Sequence, residues 1–288
     1  MTIAVLVLGY AQPRVLAETA AFYSGAGFRV FVHVDSKLDL GNYRGAMGPN
    51  ADLCTFIERR FSVFWGGFRM IAATVALMEE ALKDSSVDRL VLVSDDSFPI
   101  GSAEHLAYHL GADIERISAR KLAPEENFSR RYRDFYYLDH QATSLLGREI
   151  ESACVNDAFF ETVERLKRRR AEGKAALPIH YGSQWWCISR GLAEKILSIH
   201  HQDTAIRESF EFSAVPDEIY FQTLAAHFAP QSRFANGPVL VDWSREPRPF
   251  VFSDPADVRR MAGADHLFVR KVRYTTPEAM DAFRSLMA

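Results

Sequence analysis

The chain of 288 residues is long enough for one large domain or two small ones with a substantial core. At 48% apolar and 25% charged residues it falls in the soluble globular class, and its net charge of -3 argues against a general nucleic-acid binder, which carries a basic surface. Three cysteines, Cys54, Cys154 and Cys187, form no CxxC pair and no zinc-ligand spacing, so they read as buried thiols in a reducing compartment.

Ile3 to Leu8 is a continuous apolar run of the kind found in strands covered on both faces. It is too short to span a bilayer and lacks a basic leader, so it reads as a first strand rather than a signal peptide. With no stretch of transmembrane length elsewhere, the expectation is a cytoplasmic protein, with the inner membrane face as the place for any peripheral contact. Pro13 opens a predicted helix to about Ser24, Gly25 and Gly27 end it, and Phe28 to Asp35 reads as a second strand. This βαβ opening predicts a parallel sheet. It lacks the GxGxxG fingerprint of a dinucleotide site.

Leu53 to Ile57 reads as a third strand, and Phe68 to Lys83 as a helix with apolar residues at helical spacing. Arg89 to Ser94 is another buried strand, emptying into Asp95-Asp96-Ser97-Phe98-Pro99, after which Ser102 is a candidate helix cap. Ligands of open α/β sheets bind beyond the carboxyl ends of the strands, where both Asp35 and the Asp95–Ser97 turn fall.

The stretch 113–179 is polar and less regular. Tyr132, Phe135, Tyr136 and Tyr137 cluster with Arg130, Arg131 and Arg133, which fits either core packing or a loop over the cleft. Phe159 to Arg170 reads as a helix whose end, Lys167-Arg168-Arg169-Arg170, suits the helix dipole; a contact with an anionic lipid or acidic acceptor is the alternative. His180 to Arg190 reads as a strand leading into a helix over about 191–200. In a strand the adjacent Trp185 and Trp186 face opposite sides, one toward the core and the other toward an acceptor sugar. Val239 to Trp243 reads as a late strand, and the remainder as loop-rich around Pro247, Pro249 and Pro255 before Leu267 to Lys271.

Val215-Pro216-Asp217-Glu218 places two carboxylates after a proline at what reads as the first turn of a helix. Acidic residues suit first turns for electrostatic reasons alone. A glutamate fixed at a helix entrance is also well placed to accept a proton.

The order of motifs is more specific than any single one. His33-Val34-Asp35-Ser36-Lys37, Trp65-Gly66-Gly67, Ser94 to Ile100, Gly182-Ser183-Gln184-Trp185-Trp186, Pro216-Asp217-Glu218, Asp242-Trp243 and Leu267 to Lys271 follow one another along the chain. This series resembles the core-2/I-branching β-1,6-N-acetylglucosaminyltransferase family, glycosyltransferase family 14, which includes peptide O-xylosyltransferases. The resemblance runs from about residue 3 to 272.

It implies an α/β fold of the GT-A type, with a mostly parallel central sheet and helices on both faces. The chain then forms a single GT-A-like domain over 1–288, with a donor-binding part at about 1–112 and an acceptor and catalytic part at about 113–288. It further implies inverting transfer of a sugar, with GlcNAc the first candidate, from a UDP-sugar to a saccharide hydroxyl without a cofactor or metal. Glu218 matches the general base. Arg248 and Lys271, twenty-three residues apart, match the basic pair that holds the diphosphate. Asp35 matches the aspartate near the uracil, and Trp65 borders the nucleotide cleft.

Chemistry agrees with that assignment: a carboxylate deprotonates the attacking hydroxyl, and two fixed cations can take the place of a metal at the departing diphosphate. Asp95, Asp96, Ser183, Gln184, Trp185, Trp186 and Asp217 are candidate contacts to the sugar or acceptor. His33 is read as a packed strand residue. Where the family carries an aspartate directly before the aromatic-proline pair, this chain has Ser97, which weighs against a close match to the xylosyltransferase branch. The alternatives are a metal-dependent transferase using Asp95 and Asp96, a xylosyltransferase-like specificity, and a silent glycan- or nucleotide-binding module.

Overall fold

Six consecutive residues of the first apolar run, Ile3 to Leu8, are buried and form the spine of a sheet. In the computed structural model, which describes residues 1–134, 136, 138–139, 164–165, 168, 177–245, 247–262 and 266–288, that run is β1 (Thr2–Gly9). It leads through α1 (Pro13–Gly25) to β2 (Arg29–Val34). Gly27, at φ 75°, reverses the chain between helix and strand, a left-handed conformation that glycine takes without strain. Then come α2 (Leu40–Met47), β3 (Cys54–Phe56), α3 (Arg69–Leu82) and β4 (Val87–Ser94). A short β5 (Phe98–Pro99) precedes α4 (Ala103–Gly111), whose cap is the expected Ser102: its hydroxyl accepts the His105 N–H at 3.3 Å.

The middle of the chain contributes short elements: β6 (Glu115–Arg116), β7 (Arg120–Lys121), α5 (Arg130–Arg133), β8 (His180–Tyr181) and β9 (Cys187–Ser189). Two helices follow, α6 (Arg190–Gln202) and α7 (Thr204–Glu211), then α8 (Tyr220–Phe228). The chain ends with β10 (Phe234–Ala235), β11 (Val239–Val241), α9 (Val258–Ala262), β12 (Phe268–Arg270) and α10 (Pro277–Arg284). The helix expected over Phe159–Arg170 lies outside the described residues apart from Glu164, Arg165 and Arg168, which are helical. Phe135, Tyr137 and Cys154 lie outside them as well.

The main sheet has seven strands in the order β10-β6-β9-β4-β1-β2-β3. Its centre, β4-β1-β2-β3, is parallel, as the βαβ reading predicts, and β9 runs antiparallel between β4 and β6. Helices α1 and α4 pack together on one face, and α3 and α6 on the other. This is the α/β architecture of a GT-A-like fold. The chain winds outward from β1 to β3 and then returns to β4 on the other side of β1. That reversal leaves a crevice between the carboxyl ends of β1 and β4, the place where open α/β sheets bind ligands.

A second sheet, β11-β12-β5, sits over its own core of Phe98, Phe252, Val269, Met280 and Phe283. Two helices pack there, beyond a stretch around Pro247 and Pro249 that is loop in its described residues, as the prolines suggested. Thr276 caps α10 by accepting the Ala279 N–H at 3.2 Å, and Pro277 occupies the first turn, where no N–H is needed. Pro255 and Pro277 thus each open a helical turn. Antiparallel pairing of β12 with β5 brings the end of β12 beside the Asp95–Ser97 turn, where the Val272 N–H donates to the Asp96 carbonyl at 2.8 Å. Among the described residues no helix is long and apolar enough to cross a membrane.

Candidate active site

Three parallel strands end together. The Asp35 N–H donates to the Gly9 carbonyl at 2.9 Å, and the Asp95 N–H to the Leu8 carbonyl at 3.1 Å. Sheet register thus gathers the acids at the tips of β2 and β4 around the loop that leaves β1.

Asp95 is buried and builds that loop. Its Oδ2 accepts the backbone N–H groups of Tyr10, Ala11 and Gln12 and the Tyr43 hydroxyl, each at 2.8 Å. Burial, then the charge of Asp96, pushes its carboxyl up to about 6 against the pull of those N–H donors. Asp96 is equally buried but ion-paired: Arg270 Nε lies 3.1 Å from Oδ1, and Ser94 Oγ and the Tyr10 hydroxyl donate to the same carboxylate. Burial works to raise its carboxyl, but Arg270 and those donors hold it below the usual range. Asp96 and the Oδ2 of Asp95 are therefore committed to protein partners, whereas Asp95 Oδ1 is buried with no hydrogen-bond partner among the described residues. Their bonded oxygens organise the Tyr10–Gln12 loop and anchor Arg270.

Asp35 is buried too, with Oδ1 accepting the Lys37 N–H at 2.9 Å and Oδ2 the Lys37 ammonium at 2.8 Å. Lys37 Nζ also lies 4.1 Å from the Phe64 ring centroid, which brings the Val63–Gly67 segment against this end of the site. Trp65, next along, is 80% exposed. A groove of about 390 Å³, lined by Tyr10, Ala11, Pro13, Leu38, Asp39, Asn42 and Tyr43, opens beside the same loop. His33 accepts the Phe61 N–H through Nε2 at 2.9 Å and stacks on Phe61, the packed strand residue expected of it; burial lowers it to about 4.

The basic pair reaches the site from the second sheet. Lys271 is half-buried, its ammonium 5.7 Å from the Tyr10 ring centroid and without an ion-pair partner among the described residues. Burial, and then Arg270, lowers its ammonium. Arg248 is exposed in the loop before Phe250, and the Lys271 N–H points to the Phe250 carbonyl at 3.5 Å. That contact sets the backbone of the Arg248–Phe250 loop beside Lys271.

Asp217 and Glu218 occupy a 3₁₀ turn, Pro216–Glu218, which precedes α8 instead of being its first turn. Asp217 is buried with Oδ1 unpartnered among the described residues, and burial, reinforced by Glu218, pushes it up to about 7. The Glu218 side chain is 28% exposed. Arg131 Nη1 lies 2.5 Å from its Oε2, and Tyr181 lies against it. Burial raises the Glu218 carboxyl, and Arg131 moderates the rise. Arg131 is fixed by its own stacking, 4.4 Å over the Phe128 ring.

The two tryptophans precede β9 instead of lying in a strand, and both are buried. Arg270 covers the Trp185 ring at 4.5 Å, and Trp186 packs against Phe221 with centroids 5.6 Å apart. Trp185 and Trp186 are 4% and 0% exposed, so the protein itself packs around both rings. Ser183 serves local backbone: its Oγ accepts the Trp185 N–H at 3.3 Å and its carbonyl the Gln222 side-chain amide at 2.7 Å. Gln184 Nε2 is buried with no partner among the described residues.

The site thus has a polar end at the strand tips, the Lys271 ammonium beside Tyr10, and a carboxylate at Glu218. The Gln222 side-chain amide donates to both the Asp217 and the Ser183 carbonyl, and Arg270 covers nearby Trp185, so the ends adjoin. Arg131 and Arg270 carry weight in this geometry that sequence alone did not assign them. Arg131 is 87 residues from Glu218, and no local spacing links them. Arg270 stood beside the noticed Lys271, and its pairing with Asp96 depends on the second sheet.

A family model described as "Core-2/I-Branching enzyme" matches residues 3–262. The chain is also similar to xylosyltransferase sqv-6 of Caenorhabditis elegans, 27% identical over 202 residues. That stretch is 68% of this chain and 22% of the length of the curated relative.

Proposed function

The chain belongs to the Core-2/I-branching enzyme family of glycosyltransferases, and from that premise we propose that it moves a sugar from a UDP-sugar to a saccharide hydroxyl with inversion, using Glu218 as general base and no metal. GlcNAc is the first donor sugar to test. Xylose is the second, because the curated relative is named a xylosyltransferase.

One observation carries the assignment of the base. Of the acids gathered here, Asp35, Asp95, Asp96 and Asp217 are buried, whereas Glu218 presents a part-exposed carboxylate on a fixed turn. An acceptor hydroxyl can reach it. Burial raises its carboxyl toward the working range of a base, and Arg131 favours the ionised form that must accept the proton.

The step balances as follows. Glu218 takes the hydroxyl proton as the acceptor oxygen bonds to the anomeric carbon from the face opposite UDP. The bond from that carbon to the diphosphate breaks, and its electron pair leaves with UDP. Lys271 and Arg248 stabilise the charge gathering on the diphosphate. Trp65 offers an exposed indole for a donor or acceptor ring. The metal-free reading is supported by protein donors on Asp96 and on Asp95 Oδ2, and transfer that survives EDTA is its readout.

Glu218→Gln tests the base directly. Loss of transfer by about 10²–10⁴-fold with unchanged UDP affinity is expected. Near-normal turnover in that variant sinks the assignment.

A further inference from the structure

Val215, immediately before the Pro-Asp-Glu turn, has φ 52° and ψ 52°, the left-handed conformation. No other non-glycine residue among those described has a positive φ. For a β-branched residue this backbone is strained, and it persists only where surrounding contacts impose it. The contacts are visible. The Val215 N–H donates to the Gly66 carbonyl at 2.8 Å, and Gly66 itself sits at φ 77°. On the other side the Val215 carbonyl accepts the Glu218 N–H at 3.1 Å. Gly66, Val215 and the backbone of Glu218 are thus linked through consecutive hydrogen bonds. The Glu218 carbonyl is held in turn by the Gly182 N–H at 3.0 Å.

We propose that the Trp65-Gly66-Gly67 turn is a latch that holds Val215 in its left-handed conformation and thereby positions the Glu218 carboxylate. Val215 and Gly66 are positioning residues, and their role rests on the reading of Glu218 as base. Glycine is required at 66 for two reasons. Its φ is positive, and a Cβ there meets Leu138 Cδ1 at 3.1 Å and Val215 Cγ2 at 3.5 Å. A side chain at 66 turns its carbonyl away from Val215, and unlatched Val215 relaxes to negative φ and carries the turn with it.

Strain at Val215 makes a suppressor test available. Gly66→Ala is expected to lower kcat by about tenfold or more, with UDP affinity held within about twofold. Adding Val215→Gly gives position 215 a residue that takes positive φ without help, so the double variant is expected to recover much of that kcat. A merely structural role predicts the reverse, because Val215 is buried and its truncation adds a cavity to an existing defect. The latch is overturned by a Gly66→Ala variant with normal kcat, or by a double variant no faster than Gly66→Ala alone. If Gly66→Ala does not fold, the double variant decides: it must fold and turn over within about tenfold of Val215→Gly, and failure to do so overturns the latch. Glu218→Gln measured alongside separates the two ideas. Full activity there removes the base, whereas its inactivity beside an unaffected Gly66→Ala removes the latch alone.

Discussion

Arg131 Nη1 stands 2.5 Å from Glu218 Oε2, so the candidate base is ion-paired before any acceptor arrives. The pair has a definite consequence for pH. Burial raises the Glu218 carboxyl, and Arg131 opposes that rise. Removing the guanidinium leaves burial unopposed, so the carboxyl ionises at higher pH. Arg131→Met is therefore expected to move the acid limb of the kcat profile to higher pH and to lower kcat at neutral pH by about tenfold or more. Arg131→Lys keeps the charge and is expected to shift the limb less. A profile that stays in place in Arg131→Met separates Arg131 from the base.

The Asp96–Arg270 pair is of another kind, because both partners lie beneath the site. Arg270 bridges Asp96, the Tyr10 hydroxyl and the Trp185 ring, and its neighbour Lys271 is aimed at the same loop. Breaking a buried pair leaves an uncompensated charge, so Asp96→Ala is expected to destabilise the fold by about 3–5 kcal/mol. Chemical denaturation measures this. A loss below about 1 kcal/mol is the value for a surface pair and removes the anchoring role.

Lys271 and Arg248 differ in setting and should differ in behaviour. Lys271 is half-buried, and Arg248 is exposed in its loop. Lys271→Ala is expected to weaken UDP binding by about tenfold or more, and Arg248→Ala by less, with a stronger dependence on salt because exposed charges are screened. Calorimetric titration of UDP at two ionic strengths checks both. Unchanged affinity in the two variants removes both cations from the mechanism.

How far the sequence foretold this arrangement depended on the range of the contacts. β1, α1, β2, α3 and β4 were legible because continuous apolar runs and helical spacing are local signals, and Ser102 was legible as a cap for the same reason. The Pro-Asp-Glu motif was found, but its turn is set from outside by Gly66, so a helix start was the natural local reading. The committed partners of Asp95 were hidden because they lie 83 to 85 residues away for Gln12, Ala11 and Tyr10. Two adjacent tryptophans invite a stacking role. Only three-dimensional placement shows Arg270 over the Trp185 ring. The α10 signal was present in Thr276-Pro277-Glu278 and the apolar Ala279, Met280 and Phe283, but proline density hid it.

The buried acids also make stability depend on pH. Asp217 is pushed up to about 7 and Asp95 to about 6, in each case first by burial and then by a neighbouring carboxylate. In the unfolded chain an aspartate ionises near 3.9. Between that value and the folded ones, the native state holds protons that the unfolded state has lost. Raised carboxyls therefore contribute stability that is fully present below about 4 and is lost as pH rises through about 6 to 7. These two groups alone make the protein more stable at pH 5 than at pH 8, by on the order of a few kcal/mol. Asp217→Asn keeps the size and removes the ionisation, so it should raise stability at pH 8 and flatten the slope above pH 6. Urea denaturation of both proteins at pH 5 and pH 8 measures the difference. A slope in Asp217→Asn as steep as in the parent places the pH dependence elsewhere and shows that Asp217 is not held protonated in the fold.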